Sequence, residues 1–342
     1  MKNLKTSDFY YELPEDLIAQ VPIAKRDASK MMVLDRKTET IEDKLFTDLL
    51  DYLNPGDAIV LNDTKVIPAR LFCNRIGKDE AIEILLLEQK NEYWECLVRP
   101  GKKMKIGTKF EISNLIFGEV CDIKEDGNRI IKFQFDGIWE ELLDELGEMP
   151  LPPYIHEKLN ESQRYQTVYS KVSGSSAAPT AGLHFTKNYL EKLKQKGIKI
   201  IELTLHVGLG TFRPVKTENI LEHKMHAEYY SLSEEAAKKI NEVIKSNKRI
   251  LAVGTTVTRT LESIYKKHGK IVADSAYTDI FIYPGFKFKV VDALLTNFHL
   301  PESTLLMLVS AFASKDFIFK AYNEAITKKY RFFSFGDCML IK

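Results

Sequence analysis

Hydrophobic and polar positions alternate with a two-residue period in the second quarter of this chain. Ile131, Phe133 and Phe135 are separated by polar residues, the pattern of a strand buried on one face. Similar short runs recur between about residues 58 and 136, and the segment EDGN at 125–128 is typical of a hairpin turn. Five to seven short strands at this spacing predict a small antiparallel β-barrel.

Beyond Tyr154 the pattern changes to strands that alternate with helices. The predicted helices cover 186–196, 234–245, 304–313 and a segment ending at 268, and the predicted strands cover 198–205, 249–253 and 290–295. This alternation is typical of a largely parallel sheet covered by helices. It predicts an α/β main domain, with a distorted barrel as the alternative form of its sheet.

The two patterns predict how the chain is divided into domains. With 342 residues the chain is long for a single hydrophobic core. A predicted helix over 138–146 ends at Gly147, and three prolines follow within six residues. We therefore predict a discontinuous α/β domain over 1–57 and 151–342, which carries an inserted β-barrel domain over 58–150.

Composition excludes several classes of protein. No segment approaches the roughly 20 apolar residues of a membrane-spanning helix, and the N-terminus lacks the apolar stretch of a secretory signal. Four widely spaced cysteines do not indicate a disulfide framework. We therefore expect a cytoplasmic protein. The net charge of +1 disfavours a surface that is basic all over, but leaves room for a local basic patch.

The first of four polar loops is AAPTAGLHF at 177–185, which leads into a predicted helix. Its small residues let a ligand approach the backbone, and a helix start favours an anion. Thr180 is a candidate ligand contact and His184 a candidate proton-transfer group. The equally weighted alternative is a tight loop with a structural histidine.

The second loop, HVGLGTFRP at 206–214, follows a predicted strand. Its Gly-x-Gly segment matches only half of a dinucleotide-binding fingerprint, because the third glycine and the following helix are missing. His206 is a candidate substrate contact, and Arg213 has the geometry to clamp a carboxylate or phosphate. The alternative is a glycine turn with Arg213 in a surface ion pair.

The third loop, HKMHAEYY at 223–230, contains His226 and Glu228. Two histidines three residues apart resemble metal ligands, but no third ligand follows at a familiar spacing. Acid–base catalysis or substrate contacts are therefore preferred to a metal site.

The fourth loop, GTTVTR at 254–259, lies between a predicted strand and a predicted helix. Its amides, with Thr255 and Thr256, form a cradle for a carboxylate or a single phosphate, and Arg259 follows. The alternative is a helix cap by one of the threonines. Further along the chain, polar candidates stand beside aromatic residues: Thr278, Asp279, Asn297 and His299.

Several long motifs, in one order along the whole chain, resemble a known family. They read SDFYYELPEDLIAQ, AAPTAGLHFT, LTLHVGLGTFRPV, HKMHAEYY, GTTVTRTLES, TDIFIYPGFKFKVVDALLTNFHLP and YRFFSFGDCMLI. The resemblance is to the S-adenosylmethionine:tRNA ribosyltransferase-isomerases of queuosine biosynthesis. It implies an α/β domain with an inserted β-barrel, S-adenosylmethionine as a cosubstrate, and no metal or permanently bound cofactor.

The resemblance also implies the reaction. The ribosyl group of S-adenosylmethionine is transferred to 7-aminomethyl-7-deazaguanine at the wobble position of tRNA and isomerised, giving epoxyqueuosine, adenine and methionine. The tRNAs are those with GUN anticodons, for aspartate, asparagine, histidine and tyrosine. A monomer is expected.

The chemistry of the side chains indicates which residues perform the proton transfers that this reaction needs. Histidine titrates nearest to neutral pH, so we predict His184 and His226 as catalytic, with Glu228 or Asp279 orienting them. Arg213 and Arg259 are predicted to hold the methionine carboxylate or a tRNA phosphate. The remaining predicted substrate contacts are Thr180, His206, Thr255, Thr256, Thr278, Asn297 and His299.

Three rival functions make different predictions. An S-adenosylmethionine-dependent methyltransferase would yield methylated RNA, but the acidic residue expected after a glycine-rich first strand is not visible. A metal-dependent hydrolase would contain zinc or manganese. A non-catalytic RNA-binding module explains a barrel but leaves the histidine-bearing loops without a role.

Overall fold

The computed structural model describes residues 4–159, 161–208 and 215–342 and forms two compact units. The first unit comprises Met1–Thr64, Pro153–Val172 and Pro179–Lys342, and the second comprises Lys65–Pro152 and Ser173–Ala178. The first boundary therefore lies after Thr64 rather than at the predicted residue 58. The reason is that the strand Ala58–Asn62 pairs within the large sheet of the first unit.

The first unit contains most of the regular structure. Its strands are β1 (Lys30–Asp35), β2 (Thr40–Leu45), β3 (Ala58–Asn62), β12 (Lys199–Leu205), β13 (Glu228–Leu232), β14 (Ile250–Val253), β15 (Asp274–Thr278), β16 (Ala293–Asn297) and β17 (Cys338–Ile341). Its α-helices are α2 (Lys187–Gln195), α3 (Glu234–Lys245), α4 (Thr255–His268), α5 (Thr304–Ala313) and α6 (Lys315–Thr327). Two further strands lie where the units meet along the chain, β4 (Thr64–Val66) and β11 (Val172–Ser175).

The nine strands of the first unit form one sheet in the order β15-β13-β12-β3-β14-β16-β17-β1-β2. The run β12-β3-β14-β16 is parallel, whereas β13, β15, β17 and β2 each join a neighbour antiparallel. The α/β class is confirmed, but the expected largely parallel sheet is mixed. The sequence pattern did not predict this antiparallel pairing: β1 and β2 are joined by a short turn, but two helices lie between β13 and β15 and between β16 and β17 along the chain.

Local capping explains why two helices match their predicted bounds. Helix α3 begins after Ser233, whose hydroxyl accepts the Ala236 amide at 3.2 Å. Helix α5 begins after Ser303, which accepts the Leu306 amide at 3.2 Å. A serine before the first turn satisfies an otherwise unpaired amide and sets the start of the helix.

The core of the first unit lies on both faces of the central strands. Every residue of β3, β14, β16 and β17 is buried. The strands therefore read as continuous apolar runs rather than as alternating ones, as expected for a sheet covered on both sides. Among the described residues, no helix is both long and apolar enough to span a bilayer.

The second unit is a closed six-stranded antiparallel barrel, which confirms the predicted β-barrel. Its strands are β5 (Arg70–Arg75), β6 (Ile82–Lys90), β7 (Tyr93–Arg99), β8 (Lys109–Ile112), β9 (Ile116–Ile123) and β10 (Arg129–Phe135), closed in the order β10-β7-β6-β5-β8-β9. Helix α1 (Trp139–Leu146) follows, and its Trp139 packs on Phe133 and Phe135 with ring centroids 5.2 and 4.8 Å apart. Gly118 of β9 leaves room for the buried Phe110 ring, because a β-carbon at that position would collide with it.

Candidate active site

The described residues of the polar loops singled out in the sequence lie along one edge of the large sheet, whereas 209–214 of the second loop lie outside the described residues. The parallel strands β12, β3, β14 and β16 end there at Leu205, Asn62, Val253 and Asn297. The antiparallel strand β13 begins there at Glu228 and brings Thr278 of β15 to the same level through its register. We call this line the carboxyl edge. Ligands of α/β proteins bind at such edges, so the structure gathers the predicted loops at a suitable place.

A buried ion pair dominates one end of the carboxyl edge. The Arg259 guanidinium of α4 donates through Nη1 to Oε2 of Glu228, and both side chains are almost completely buried. Arg259 also donates to the carbonyl oxygens of Ile280 at 3.4 Å and Thr278 at 3.5 Å. Arg259, which the sequence predicted to bind a ligand, therefore uses part of its hydrogen-bonding capacity to hold the Glu228 carboxylate.

The Glu228 carboxylate is held in its charged form and faces His226. Its Oε1 accepts the Gly208 amide at 3.0 Å and lies 3.3 Å from Nε2 of His226. Burial by itself would raise the pKa of Glu228, but Arg259, His226 and the Gly208 amide outweigh it and lower the pKa to about 2. The His226 side chain is about one-third exposed, so it connects a buried negative charge with solvent.

A second group of contacts joins three elements in the middle of the carboxyl edge. Nδ2 of Asn62 donates to the Leu205 carbonyl at 2.9 Å and to Oγ1 of Thr256 at 3.3 Å, while its Oδ1 accepts the Leu205 amide at 3.0 Å. Nδ1 of His206 lies 2.8 Å from Oγ1 of Thr64, and its ring stacks on Tyr229 at 5.9 Å. Burial lowers the pKa of His206. These contacts fix β3, β12 and α4 relative to one another.

Helix α4 starts at the carboxyl edge with an unusual backbone. Gly254 has φ +87° and ψ +159°, a conformation essentially restricted to glycine. Its amide donates to the Leu295 carbonyl of β16 at 2.8 Å, and the amides of Thr255 and Thr256 follow at the helix N-terminus. Both threonines are nearly buried, as a ligand cradle or a packed helix start requires.

We expect Gly254→Ala to lower the free energy of unfolding by about 1–3 kcal/mol, because alanine is strained at this φ. We also expect activity to fall, since the strain would displace the start of α4. The matched control is Gly269→Ala at the other end of α4, where φ is +69° and an added methyl group meets nothing. Thermal unfolding and turnover would be measured. Equal loss of activity in both variants would contradict a local role for Gly254.

The opposite end of the carboxyl edge is organised around His184, in the 3-10 helix Thr180–His184. Its Nδ1 lies 2.8 Å from Oγ of Ser29, and its Nε2 lies 3.4 Å from Nδ2 of Asn297. Nδ2 also donates to the Asp337 carbonyl at 3.4 Å, which can only accept, so the amide orientation of Asn297 is fixed. Nε2 of His184 therefore accepts, and Nδ1 carries the proton.

The His184 ring is buried and neutral at physiological pH. Burial first, and then the charges of Arg26 and Arg331, lower its pKa to about 4. Thr180 completes the cluster, donating to Oδ1 of Asn297 at 3.3 Å. A neutral, oriented imidazole is suited to accept a proton only when a substrate displaces one of its partners.

The clusters around His226 and His184 lie too far apart to contact the same atom of a substrate. Glu228 starts β13 and Asn297 ends β16. Four interstrand intervals separate these two strands in the sheet order. At about 4.8 Å per interval this places them roughly 19 Å apart along the sheet. His184 and His226, predicted as a catalytic pair, therefore lie at separate ends of one elongated edge.

The remaining predicted residues are placed as follows. Thr278 is buried, with Oγ1 accepting the Ile280 amide at 3.2 Å, whereas Asp279 is exposed. His299 is buried, with Nε2 3.1 Å from Oγ1 of Thr296, and burial lowers its pKa to about 3. Arg213 lies outside the described residues.

We expect His299 to make the protein acid-sensitive. The unfolded chain binds a proton near pH 6.5 and folded His299 only near pH 3, so its contribution to stability is complete above pH 6.5 and declines as pH falls. His299→Gln should shrink the loss of stability between pH 7.5 and 5 by about 2 kcal/mol. Urea unfolding at both pH values measures this, with His268→Gln as control, since the His268 side chain is about one-third exposed. An unchanged difference would contradict a buried neutral imidazole.

Within the described ranges, no group of three or more His, Cys, Asp or Glu side chains is arranged to hold a metal ion. In the third loop His226 lies beside Glu228, and Glu228 pairs with Arg259.

Comparison with known proteins assigns the family. The sequence model of the queuosine biosynthesis proteins matches residues 6–341. The chain belongs to this family.

Relatives agree with this membership over their full length. A protein of Clostridioides difficile is 59% identical over 99% of this chain and 100% of its own, and one of Finegoldia magna is 59% identical over 99% and 98%. Both are named S-adenosylmethionine:tRNA ribosyltransferase-isomerase. A crystal structure of a Thermotoga maritima S-adenosylmethionine tRNA ribosyltransferase is 45% identical, covers 98% of this chain and 100% of its own, and superposes with a TM-score of 0.58.

Family membership confirms the resemblance read from the motifs. It also confirms the predicted enzyme class, a transferase of queuosine biosynthesis that modifies tRNA. The roles of individual residues stay predictions.

Sequence reasoning missed several residues whose hydrogen bonds hold the candidate site together. Asn62 is the last residue of a buried strand and Thr64 lies two residues beyond it, and polar residues at a strand's carboxyl end are a signal that could have found them. Ser29 contacts His184, and Asp337 contacts Asn297, only because of the tertiary fold. No local sequence pattern predicts these contacts.

Proposed function

We propose that this enzyme transfers and isomerises the ribosyl moiety of S-adenosylmethionine onto 7-aminomethyl-7-deazaguanine at the tRNA wobble position. The products are epoxyqueuosine tRNA, adenine and methionine. The tRNA partners are those with GUN anticodons. We further propose a cytoplasmic monomer that uses S-adenosylmethionine as a cosubstrate and needs no metal.

The reaction needs several proton transfers. The sulfonium makes the adjacent C5′ protons of the ribose acidic, so a base can remove one of them. Adenine leaves more readily when a ring nitrogen is protonated. The incoming amine must lose a proton as it forms its new bond. Groups that exchange protons near neutral pH must therefore face the cosubstrate and the modified base.

His226 with Glu228 is the arrangement that best supports such chemistry. A charged, buried carboxylate 3.3 Å from Nε2 orients the ring and stabilises the imidazolium that forms when His226 takes a proton. Arg259 keeps Glu228 ionised and in place. We therefore assign proton transfer to His226, orientation to Glu228, and positioning to Arg259 through Glu228.

His184 serves a second step at the other end of the carboxyl edge. Its neutral ring, with Nε2 as the accepting atom, is poised to receive a proton when substrate replaces Asn297. The separation of roughly 19 Å across the strands suits two steps on two molecules, a cosubstrate and a nucleotide. The α4 start at Thr255 and Thr256, with Arg213, is proposed to contact an anionic group, and Asp279 remains a candidate orienting group.

The observation that carries this proposal is the buried Arg259–Glu228 ion pair beside the partly exposed His226, at the carboxyl edge of a family member. A methyltransferase needs no such base, because the methyl group of S-adenosylmethionine is transferred without deprotonating the ribose. A non-catalytic RNA-binding module has no use for a buried ion pair that points a histidine outwards.

Product analysis by mass spectrometry tests the proposal. The purified chain would be mixed with S-adenosylmethionine and an anticodon stem-loop RNA that carries the aminomethyl-deazaguanine. Release of adenine and methionine, with a ribosyl-derived unit added to the RNA, is the expected result. A methyl gain with S-adenosylhomocysteine would overturn the proposal, and so would a folded protein that consumes neither substrate.

A further inference from the structure

A small cavity of the first unit leads from its surface to His184 and is bordered by two arginines. Arg26 and Arg164 line it together with Leu183 and His184. The other walls come from Pro22, Ile23, Ser334, Phe335 and Gly336. Both arginines are half-buried, so their guanidinium groups are neither free in solvent nor enclosed in the core.

Neutral groups, and not carboxylates, hold these guanidiniums. Arg26 donates to the carbonyl oxygens of Leu183 at 3.2 Å and Gln163 at 2.7 Å. Arg164 donates to the carbonyl oxygens of Ala24 at 3.3 Å and Ile23 at 2.5 Å. Carbonyl oxygens orient a guanidinium without neutralising it, so both positive charges persist at the cavity.

The carboxylate nearest in sequence does not compensate them. Asp27 follows Arg26, but among the described residues it forms no ion pair with either guanidinium, and its Oδ2 accepts the Thr186 hydroxyl at 3.4 Å. Burial and the neighbouring charge of Arg164 lower the pKa of Arg26. Nε of Arg164 is buried and has no hydrogen-bond partner among the described residues. Two like charges and an unpaired buried donor lower the stability of the fold unless a bound anion neutralises the charges and accepts the hydrogen bond.

A third arginine strengthens the positive field. Arg331 donates to the Val21 carbonyl, and its charge acts on His184 together with that of Arg26. Its countercharge is Asp337, whose carboxylate is already occupied by the amides of Lys30 at 2.8 Å and Arg331 at 2.9 Å.

The charge of the whole chain supports RNA as the source of the anion. Residues 65–152, the main part of the barrel unit, carry 13 basic and 17 acidic residues, a net charge of −4. Since the chain has a net charge of +1, the remainder carries +5. A polyanion is attracted to the first unit and repelled by the second.

We infer that Arg26 and Arg164 form a clamp for a backbone phosphate of the RNA substrate, next to His184. The inference rests on the proposed function and deepens it. Guanidinium forks match the paired oxygens of a phosphodiester, and Arg26 and Arg164 each retain three N–H groups beyond those that bind carbonyls. Phosphate contacts fix the register of a nucleic acid, so the clamp is a positioning device that brings one nucleotide to His184.

Salt dependence of RNA binding tests the clamp without needing turnover. Binding of a GUN anticodon stem-loop RNA would be measured by fluorescence anisotropy between 50 and 200 mM salt. We expect Arg26→Gln and Arg164→Gln each to weaken binding about tenfold and to reduce the slope of log Kd against log salt by about 0.7. The lysine variants should keep the slope but bind more weakly than the unaltered chain, because they keep the charge and lose the fork.

Arg36→Gln is the matched control. Arg36 is also half-buried and donates to three carbonyl oxygens, those of Lys342, Phe312 and Asp292, but it follows the far end of β1. It should leave both the slope and the affinity unchanged. Thermal unfolding of each variant verifies that it is folded, and the lysine variants serve if a glutamine variant is not.

Three outcomes would overturn the clamp. Unchanged slopes in both glutamine variants would overturn the inference alone. Weaker binding of S-adenosylmethionine, measured without RNA, together with unchanged RNA slopes would assign the arginines to the cosubstrate carboxylate instead. An unaltered chain that binds no RNA would overturn the proposed function and the clamp with it.

Discussion

Glu228→Gln is expected to reduce turnover at least a hundredfold and to lower the free energy of unfolding by about 3–5 kcal/mol. The substitution leaves the Arg259 charge buried without its countercharge, which is the costly way to break a buried pair. It also removes the negative charge that orients His226. Adenine release and urea unfolding would measure the two effects.

The pH dependence of stability gives this prediction a second readout. Glu228 has a pKa of about 2 in the folded protein, below its ordinary value of 4.5. Its ionisation therefore stabilises the fold fully above about pH 5, and this stabilisation is lost as the pH falls towards 2. The glutamine variant lacks this contribution, so its stability should change less over that interval.

Asp57→Asn separates lost stability from lost chemistry. Asp57 is also buried and pairs with an arginine, Arg249, with Oδ2 2.7 Å from Nη2. This pair lies at the start of β3, at the other end of the strand from the carboxyl edge. The variant should lose stability yet keep its turnover at temperatures where it is folded. A Glu228→Gln enzyme that turns over as fast as Asp57→Asn would refute the assigned role.

His226→Gln is expected to lower kcat by about 10²–10⁴-fold, the range that general acid–base catalysis contributes. Because the side chain is about one-third exposed, the free energy of unfolding should change by no more than about 0.5 kcal/mol. Glutamine keeps a polar group near Glu228 but cannot exchange a proton near neutral pH. Single-turnover kinetics with saturating S-adenosylmethionine and RNA would measure the loss.

His268→Gln is a closely matched control for this prediction. His268 has the same 32% side-chain exposure as His226, and its Nε2 lies 3.1 Å from a carboxylate, that of Asp274. Asp274 begins β15, the end of that strand remote from Thr278 and the carboxyl edge. Turnover should be unaffected. A His226 variant with the kinetics of the His268 variant would show that the His226 ring has no special part in the reaction.

The elements that sequence pattern predicted well are those whose signals are local. Helices α3 and α5 have the predicted bounds because a serine cap sets the start of each. The barrel strands were predicted from a two-residue period and turn residues. Helix α6 and strands β13, β15 and β17 were missed, since tertiary pairing and packing rather than a clear periodicity place them.

The sequence by itself determined the α/β class, the inserted barrel, the family and the polar loops that follow the strands. Tertiary structure decided what each loop residue does. Glu228 meets Arg259, 31 positions away, and His184 meets Ser29, 155 positions away. Capping and periodicity act within a few residues and so leave a trace in the local sequence. Ion pairs, burial and the pKa shifts they cause depend on which distant segments the sheet order brings together, and only the folded chain fixes that order.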